Sequence, residues 1–376
     1  MYVTIDLGVR TPAVESWLDS VREPSGAKVP VQRFGHIRMA ALDLSPAQIE
    51  QGRGRGLSIS QVESLHVMEM RVTGDPVPLD KLPIKMPWNQ ELIGRRELAA
   101  TGADVKVGHI DSGMNPLHPL LRKRPAGFAS FHQNGPYVDI DTNATAYDSG
   151  YHGTATGSLI CGLTPIGIAP DVSLYSAALD GPPWSDAMLA AAVDWAVGQD
   201  VRIMWLGVER QNEFCAGHET LVTKLLNLNI LPVTAVGNVG AGSSSTPGNC
   251  KDGLSVGAVR SGQPGPIMWN SSGSQVRPDE RLKPDVVAPG CDVLVASFCE
   301  RENSTDYYTI PAAGTSFAGP HVVAMAALCL QLNPNLTAGE LADGICHGSR
   351  LLNLDYGRAN HGVPYGANVR KTLGLP

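Results

Sequence analysis

A serine near the C-terminus of this 376-residue chain lies where its hydroxyl group could act as a nucleophile. Residues 314–320 read Gly-Thr-Ser-Phe-Ala-Gly-Pro, and an apolar stretch from Val322 to Leu330 follows. This pattern predicts a loop of small residues that becomes a helix at Ser316. Unpaired N–H groups and the positive dipole end at a helix start would stabilise an oxyanion created by its attack. Serine is also an ordinary helix cap, so the segment alone fits either role.

Two further residues carry the side chains that a serine nucleophile requires, a general base and an acid that orients the base. Asp111 follows the apolar run Val105–Ile110, and His152 opens a segment in which Gly153 and Gly157 keep side chains off the adjoining face. Asp, His and Ser in this chain order form one of the known triad arrangements. Taken singly, the aspartate also fits a simple turn and the histidine a structural or exposed role.

A fourth residue has the chemistry to stabilise an oxyanion. The run Ile230–Val236 is typical of a buried strand, and it leads into Gly237-Asn238-Val239-Gly240. We expect the side-chain amide of Asn238 to donate a hydrogen bond to the negative charge that develops during attack. Asparagine beside glycine is also a common turn, which is the structural alternative.

These segments resemble the motifs of the subtilisin-like serine proteases, in that family's order. They read VGHIDSG around Asp111, HGTATG from His152, GN at Asn238 and GTSFAGPHVVAMAAL around Ser316. The resemblance covers roughly residues 100–370. It implies a serine endopeptidase in which Asp111 orients His152, His152 acts as general base and then acid, and Ser316 forms an acyl-enzyme. Asn238 and the Ser316 backbone N–H would hold the oxyanion.

The resemblance also implies that a protein or peptide substrate binds as an added strand. In the family this strand lies against a Ser-Leu-Gly segment, and the matching residues here are Trp205, Leu206 and Gly207. The resemblance assigns Ala235 and Gly237 to substrate binding as well. Because an indole replaces a small serine, we expect Trp205 near the rim of the primary pocket, narrowing the cleft or offering a stacking surface. The alternative is that Trp205 turns into the core.

The elements that would position these residues alternate between strands and helices. This alternation predicts an α/β domain with a mainly parallel sheet covered by helices, the three-layer subtilisin-like architecture, and we assign it to residues 98–376. Functional side chains gather at the carboxyl ends of strands in such sheets. We expect strands at Val105–Ile110, Val172–Ala177, Val201–Leu206, Ile230–Val236 and Leu254–Val259, and helices at His152–Cys161, Asp186–Val197 and Leu221–Leu228.

Residues 1–72 predict a small α+β unit of ferredoxin-like kind, joined by a proline-rich linker at 73–97. The unit resembles the prodomain that occupies the cleft of many subtilases, so the resemblance implies self-cleavage, which we expect within residues 70–90. The alternative is a unit that stays attached as a regulator or partner-binding module. We expect strands at Met1–Leu7, Phe34–Leu44 and Val62–Val72, and helices at Pro12–Val21 and Pro46–Gln51.

Composition limits the partners and the compartment. The net charge of −7 and the pI of about 5.8 give no electrostatic footprint for nucleic acid or an anionic membrane. No stretch reaches the roughly 18 apolar residues of a membrane span. Since no signal peptide is visible, we expect a cytoplasmic protein, or a secreted one if the natural N-terminus differs. None of the seven cysteines forms a C-x-x-C pair, and we expect Cys161 and Cys329 to be reduced core residues.

One loop has oxygen ligands that would suit calcium. Asp139, Asp141 and Asn143 form a D-x-D-x-N pattern before His152, with Asp148 following. The glycine and terminal glutamate of an EF-hand are absent. We therefore expect no metal or other cofactor, with calcium in this loop as the alternative to a solvated acidic loop.

Three functions remain open from the sequence. The first is a serine endopeptidase that also processes its own N-terminal unit. The second is a narrow-specificity intracellular processing protease for one precursor or partner. The third is an inactive, peptide-binding relative in which Trp205 blocks productive binding.

Overall fold

The structure, a computed structural model, describes every residue except 9–11, 68–69, 84, 122–124, 136, 212–213 and 302–303. The chain forms a small N-terminal sheet with helices and a larger part built on a mainly parallel sheet. Phe34 and Met39 from the small sheet share an apolar core with Leu189 and Leu221 of the larger part. The two parts are therefore packed together through apolar side chains.

The N-terminal unit is an antiparallel sheet covered by helices. Its elements are β1 (Tyr2–Asp6), α1 (Pro12–Ser20), β2 (Val31–Phe34), β3 (Met39–Asp43), α2 (Pro46–Gly54) and β4 (Ser58–Gln61). The strand order β2-β3-β1-β4, with antiparallel neighbours, is the ferredoxin-like topology. Trp17 and Ile49 of the helices pack with Val3 and Leu42 of the sheet in a separate core.

Two element boundaries in this unit differ from the sequence prediction. The expected single strand at 34–44 is a hairpin, in which β2 ends at Phe34 and β3 begins at Met39. Arg38 has a φ of 52°, so the chain turns sharply there. The helix expected to end at Gln51 continues to Gly54.

The segment predicted as one strand, Val62–Val72, is not part of the N-terminal sheet. Its described residues form two short strands, β5 (Ser64–Val67) and β6 (Arg71–Val72). Both pair with strands of the larger part of the chain, not with β1 to β4. The alternating sequence correctly predicts extended chain. It does not indicate which strand this segment pairs with.

The predicted linker contains a helix that packs on the large domain. Short 3₁₀ helices occupy Leu79–Lys81 and Arg95–Leu98, and α3 spans Trp88–Leu92. The Nδ2 of Asn89 in α3 lies 2.8 Å from the Nε2 of buried His321. This part of the chain is therefore anchored before the parallel sheet begins.

The large domain alternates strands with helices, as predicted. Its helices are α4 (His152–Cys161), α5 (Asp186–Val197), α6 (Ala216–Asn227), α7 (Thr315–Leu332), α8 (Ala338–His347), α9 (Tyr356–Ala359) and α10 (Gly366–Thr372), with a 3₁₀ turn at Pro119–Leu121. Its strands are β7 (Lys106–Asp111), β8 (Gly127–Asn134), β9 (Tyr137–Asp141), β10 (Ser173–Asp180), β11 (Trp184–Ser185), β12 (Ile203–Leu206), β13 (Val208–Gln211), β14 (Leu231–Ala235), β15 (Ser245–Thr246), β16 (Leu254–Arg260), β17 (Ile267–Met268), β18 (Gln275–Val276), β19 (Leu282–Lys283), β20 (Val286–Pro289), β21 (Val293–Arg301), β22 (Ser304–Ala313), β23 (Ser349–Arg350) and β24 (Val363–Pro364).

The central sheet is buried between two layers of helices. Its order is β17-β16-β14-β12-β7-β10-β8-β9, with β20 also paired to β16. The strands β8, β10, β7, β12, β14, β16 and β20 pair in parallel, in that spatial order. The edge strands β9 and β17 pair antiparallel with β8 and β16. Helices α4 and α7 cover one face, and α5 and α6 cover the other. The predicted three-layer α/β fold is confirmed.

Strand β12 shows how the sheet places its side chains. Ile203 and Trp205 belong to the core on the α7 face, and Met204 and Leu206 belong to the core on the α5 face. Successive side chains point to opposite faces of a strand, and both faces here are apolar. Helix α7 is long and apolar enough to span a membrane by composition, but 89% of that stretch is buried in the domain, the position of a core helix.

Candidate active site

Asp111 and His152 meet at the carboxyl edge of the central sheet. Asp111 is the last residue of β7, and His152 is the first residue of α4. The Nδ1 of His152 donates to the Oδ1 of Asp111 at 2.7 Å, and both side chains are buried. Burial opposes the charged imidazolium, but the Asp111 carboxylate outweighs burial and raises the pKa of His152. The structure therefore brings the predicted base and acid together.

Asp111 accepts hydrogen bonds on both of its oxygens. Besides His152, the backbone N–H of Ser112 donates to Oδ1 at 2.8 Å. The Thr156 hydroxyl and the Trp205 indole N–H reach Oδ2 at 3.0 and 3.1 Å. Burial alone would raise the pKa of Asp111, but His152 and the other donors lower it below its ordinary value. Asp111 is therefore held as a carboxylate.

Ser316 lies at the start of α7, as the sequence predicted. It is the second residue of the helix and is fully buried. Its neighbour Phe317 has a ring centroid 6.0 Å from that of His152. Among the described residues, neither the Ser316 Oγ nor the His152 Nε2 has a hydrogen-bond partner. These are the two atoms between which a proton would pass from serine to histidine. The hydrogen bond between such a pair is often long in the absence of substrate.

Asn238 is fixed against the start of the same helix. Its Oδ1 accepts hydrogen bonds from the backbone N–H of Thr315 at 2.9 Å and from the Thr315 hydroxyl at 2.8 Å. Thr315 is the first residue of α7 and directly precedes Ser316. An amide side chain donates only through its nitrogen, so Nδ2 is the atom that would bond an oxyanion. The left-handed φ of 110° at Gly237 turns the chain toward this position.

Trp205 does not lie at the rim of the primary pocket, so that prediction is wrong. The side chain is completely buried on the α7 face of the sheet and donates to Asp111. Gly319 in α7 provides the space, because a Cβ there would lie 2.6 Å from the Cη2 of Trp205. The alternative of a core residue is correct, but its contact with Asp111 was not expected.

The other predicted substrate-binding residues lie at the ends of neighbouring strands. Leu206 ends β12 and Ala235 ends β14, and these strands are paired in parallel. Gly207 lies against Asp111, where a Cβ would come within 2.7 Å of its Cγ, and Gly237 lies against Ser245. All four are buried, and their contact with a substrate stays a prediction.

The predicted calcium ligands have local protein partners. Asp139 accepts a hydrogen bond from the Asn134 side chain at 2.8 Å. The Oδ1 of Asp141 accepts one from the backbone N–H of Asn143, also at 2.8 Å. Asp139 and Asp141 were expected in a loop, but they belong to the edge strand β9, which pairs with β8. Calcium binding there stays a prediction.

Asp148 has a structural role that the sequence did not reveal. Its Oδ2 accepts from the Thr154 backbone N–H at 2.6 Å, and its Oδ1 accepts from the Ser112 hydroxyl at 2.7 Å. Thr154 is in the first turn of α4, whose N-cap residue Tyr151 makes no side-chain capping bond. The carboxylate therefore caps the helix that carries His152 and ties it to the residue after Asp111.

A buried polar chain continues behind Asp111. The Thr156 hydroxyl lies 2.9 Å from the Nε2 of His109, whose Nδ1 lies 3.2 Å from the Ser176 hydroxyl. Burial lowers the pKa of His109, so its imidazole is neutral. His109 and Thr156 lie within the VGHIDSG and HGTATG motifs, but neither motif indicates that these two side chains meet, so this chain of contacts was not predicted.

A second aspartate–histidine pair lies away from this site. Ligand atoms of Asp186, Cys215 and His218 lie within 4.8 Å of one another. The Arg210 guanidinium is 3.3 Å from both oxygens of Asp186, and His218 Nε2 is 2.9 Å from Oδ1. Because a guanidinium is a permanent cation, it disfavours a metal ion here, and the group fits a buried ion pair.

The segment that follows the N-terminal sheet pairs with strands of the large domain. β5 lies between β11 and β13, with Leu65 opposite Trp184 and Val67 opposite Val208 in antiparallel register. β6 then pairs Arg71 with Ala313 of β22, the strand that leads into α7. The chain thus passes from the strand following Trp205 to the strand preceding Ser316.

Known proteins resemble this chain in sequence and structure. The model of the Subtilase family matches residues 102–366. Subtilisin E of Bacillus subtilis (strain 168) is 28% identical over 334 residues, covering 85% of this chain and 77% of that protein. Subtilisin of Bacillus pumilus is 30% identical over 259 residues, covering 65% and 82%. Among solved structures, fervidolysin from Fervidobacterium pennivorans, a keratinolytic enzyme related to subtilisin, has a TM-score of 0.75 at 17% identity, and the match covers 100% of this chain and 61% of fervidolysin.

Proposed function

The chain belongs to the subtilase family and is a serine peptidase, and we propose that it hydrolyses peptide bonds through Asp111, His152 and Ser316. The observation that carries the proposal is the buried 2.7 Å bond between Asp111 and His152 Nδ1. The buried Ser316 is at the start of α7, the helix that packs against α4, and the ring centroid of its neighbour Phe317 lies 6.0 Å from that of His152. With Nδ1 engaged, Nε2 is the nitrogen that can take the serine proton.

The chemistry follows from these positions. The Ser316 Oγ attacks the peptide carbonyl carbon while its proton passes to His152 Nε2. The Nδ2 of Asn238 and the Ser316 backbone N–H hold the negative oxygen of the tetrahedral intermediate. His152 then gives its proton to the leaving amine nitrogen, the C–N bond breaks, and an ester on Ser316 remains. Water, deprotonated by His152, hydrolyses that ester and releases the acid.

We further propose that the protein's own N-terminal unit is its first substrate. β5 is an added strand that pairs with β13, directly after the Trp205–Gly207 segment where a bound peptide is expected, and β6 pairs with β22, the strand that leads to Ser316. The bond cut would therefore lie between Val67 and Arg71, at the very start of the 70–90 range or just before it. This pairing supports the prodomain hypothesis over a separate partner-binding module.

The buried position of Trp205 argues against the hypothesis of an inactive, peptide-binding relative. That hypothesis required an indole that blocks productive binding, and Trp205 is instead fully buried behind Asp111. The hypothesis of a dedicated processing protease concerns the choice of substrate and uses the same chemistry.

Incubation of the purified full-length chain tests both proposals. We expect the protein to split between residues 67 and 71, as read by N-terminal sequencing and intact mass, and to react with a fluorophosphonate probe. The Ser316→Ala variant should stay whole and unlabelled. Ser64→Ala, a small change at an exposed position of β5, is the matched control and should behave like the wild type. A folded wild-type protein that is neither labelled nor cleaves any peptide would refute the proposed activity.

A further inference from the structure

We propose that Trp205 is a positioning residue for the proposed reaction, whose indole N–H holds the Asp111 carboxylate ionised and turned toward His152. The inference rests on the proposed roles of Asp111 and His152. It assigns a task to the residue at which this chain departs from the family's small serine.

The first support is the division of hydrogen bonds over the carboxylate of Asp111. Oδ1 accepts from His152 at 2.7 Å, and Oδ2 accepts from Trp205 at 3.1 Å and from Thr156 at 3.0 Å. Donors fixed on Oδ2 set the plane of the carboxylate and leave Oδ1 facing the imidazole. All of these side chains are buried, so water does not compete for the oxygens.

The second support is that the two donors on Oδ2 are chemically different. The Thr156 hydroxyl can rotate to another partner, since it also lies 3.2 Å from the Gly153 carbonyl oxygen. An indole N–H can only donate. A proton on Oδ2 of Asp111 would face this N–H with no acceptor, so Trp205 penalises the neutral acid in a way that Thr156 does not.

The third support is the space made for the ring. Trp205 is fully buried, and its six-membered ring fills the position where a side chain on Gly319 would lie. Gly319 is in α7, the helix that begins with Thr315 and Ser316. The indole therefore links the helix that carries the nucleophile to the carboxylate of β7.

The electrostatic consequence has a definite sign. The N–H points the positive end of its dipole at Asp111, and its removal raises the pKa of His152, because a nearby positive potential is lost. The titratable groups that face His152 are Asp111, Asp148, Glu209 and His109. None of them is altered when Trp205 is replaced.

Trp205→Phe keeps an aromatic ring while it removes the N–H donor and part of the buried ring volume. We expect kcat to fall roughly tenfold with little change in KM, and the acidic limb of kcat/KM to move to higher pH. Trp88→Phe is the matched control, because it also removes an indole donor, in that case one that bonds the Asp292 carbonyl at 3.2 Å. The control should keep the wild-type pH profile.

Two measurements guard against a variant that is merely less stable. Gly319→Ala keeps Trp205 but displaces its ring, so it should move the limb in the same direction, and it should add little in the Trp205→Phe background. In Ser316→Ala protein with nitrogen-15 labelled histidines, NMR titration of His152 should show the same rise without any turnover.

The results separate this inference from the proposed activity. If Trp205→Phe and Gly319→Ala leave both the acidic limb and the NMR titration unchanged while lowering stability, Trp205 is a packing residue and the inference is overturned. If the titration shifts in a protein that hydrolyses nothing, the positioning contact stands and the proposed activity falls.

Discussion

At the scale of single residues, the site consists of N–H and O–H donors arranged around one buried carboxylate, that of Asp111. Asp111 has donors on both oxygens, and its carboxylate raises the pKa of His152, the closest of those donors. Ser316 and Asn238 are placed by the first turn of α7, since Asn238 accepts both polar hydrogens of Thr315. Each of these contacts predicts a separate kinetic effect.

The pH dependence follows from the raised pKa of His152. Catalysis requires the neutral imidazole, so kcat/KM should fall as the pH drops through a value above the ordinary 6.5 of histidine. A pH profile with a small peptide ester checks this. Asp111→Asn removes the charge responsible, so the limb should move to lower pH in whatever activity remains. A wild-type limb below 6.5 would contradict the assignment.

Asn238 should matter to the transition state more than to substrate binding. We expect Asn238→Ala to lower kcat by about 10²–10³, the loss known for the corresponding contact in subtilisin, with KM nearly unchanged. Asn238→Asp is the informative companion, because it keeps an oxygen for Thr315, removes the donor and adds a negative charge where the oxyanion would form. Steady-state kinetics with thermal unfolding of both variants separate these effects. Full activity in Asn238→Asp would exclude the proposed oxyanion contact.

At the scale of elements, two helix starts do most of the positioning. α4 begins at His152 and α7 begins one residue before Ser316, and the helices pack against each other on one face of the sheet. The start of α4 is capped by Asp148 from the preceding loop. Gly153 makes the approach possible, because a side chain there would collide with the backbone of Gly113.

The cap at α4 predicts a coupled change in stability and basicity. Asp148→Ala leaves the N–H of Thr154 without its partner, so we expect a loss of about 1–2 kcal/mol in unfolding free energy. Removing a negative charge near His152 also lowers its pKa, so the acidic limb should move to lower pH. Urea unfolding and the pH profile measure the two effects. Asp139→Ala, in strand β9, where the carboxylate accepts from Asn134, should show neither, and an unshifted limb in Asp148→Ala would contradict the coupling.

At the scale of the whole molecule, the N-terminal unit and the catalytic domain are joined by strand pairing as well as by apolar packing. The unit has its own core, yet its other sheet face packs with α5 and α6. β5 completes the sheet β11-β5-β13-β15 of the large domain. This arrangement supports the proposal that the N-terminal unit is the first substrate.

The pairing of β5 predicts how self-cleavage responds to substitution. Leu65 is fully buried opposite Trp184, so Leu65→Asp would bury an unpaired charge and should slow the cleavage between residues 67 and 71 at least tenfold. Ser64→Asp places the same charge on an exposed position of the same strand and should cut at the wild-type rate. Timed gel analysis after dilution from denaturant measures both rates. Equal rates for the two variants would show that β5 does not guide the cleavage.

The sequence by itself determined the family and much of the framework. Asp111, His152, Asn238 and Ser316 could be predicted as site residues because their residue types, order and local motifs are all specified along the chain. The predicted bounds of α4 and α5 agree with the structure, because capping residues and small or apolar runs are local signals. The α/β layering followed from the alternation of strands and helices.

The tertiary structure alone decided how the elements face one another. β12 is apolar on both faces, so its sequence carried no sign of whether Trp205 points to the cleft or to Asp111. The alternation of 62–72 fits any open sheet edge, and only the folded large domain shows that β5 and β6 pair there. Local patterns encode local structure, whereas the choice of face and partner depends on contacts between residues far apart in the chain.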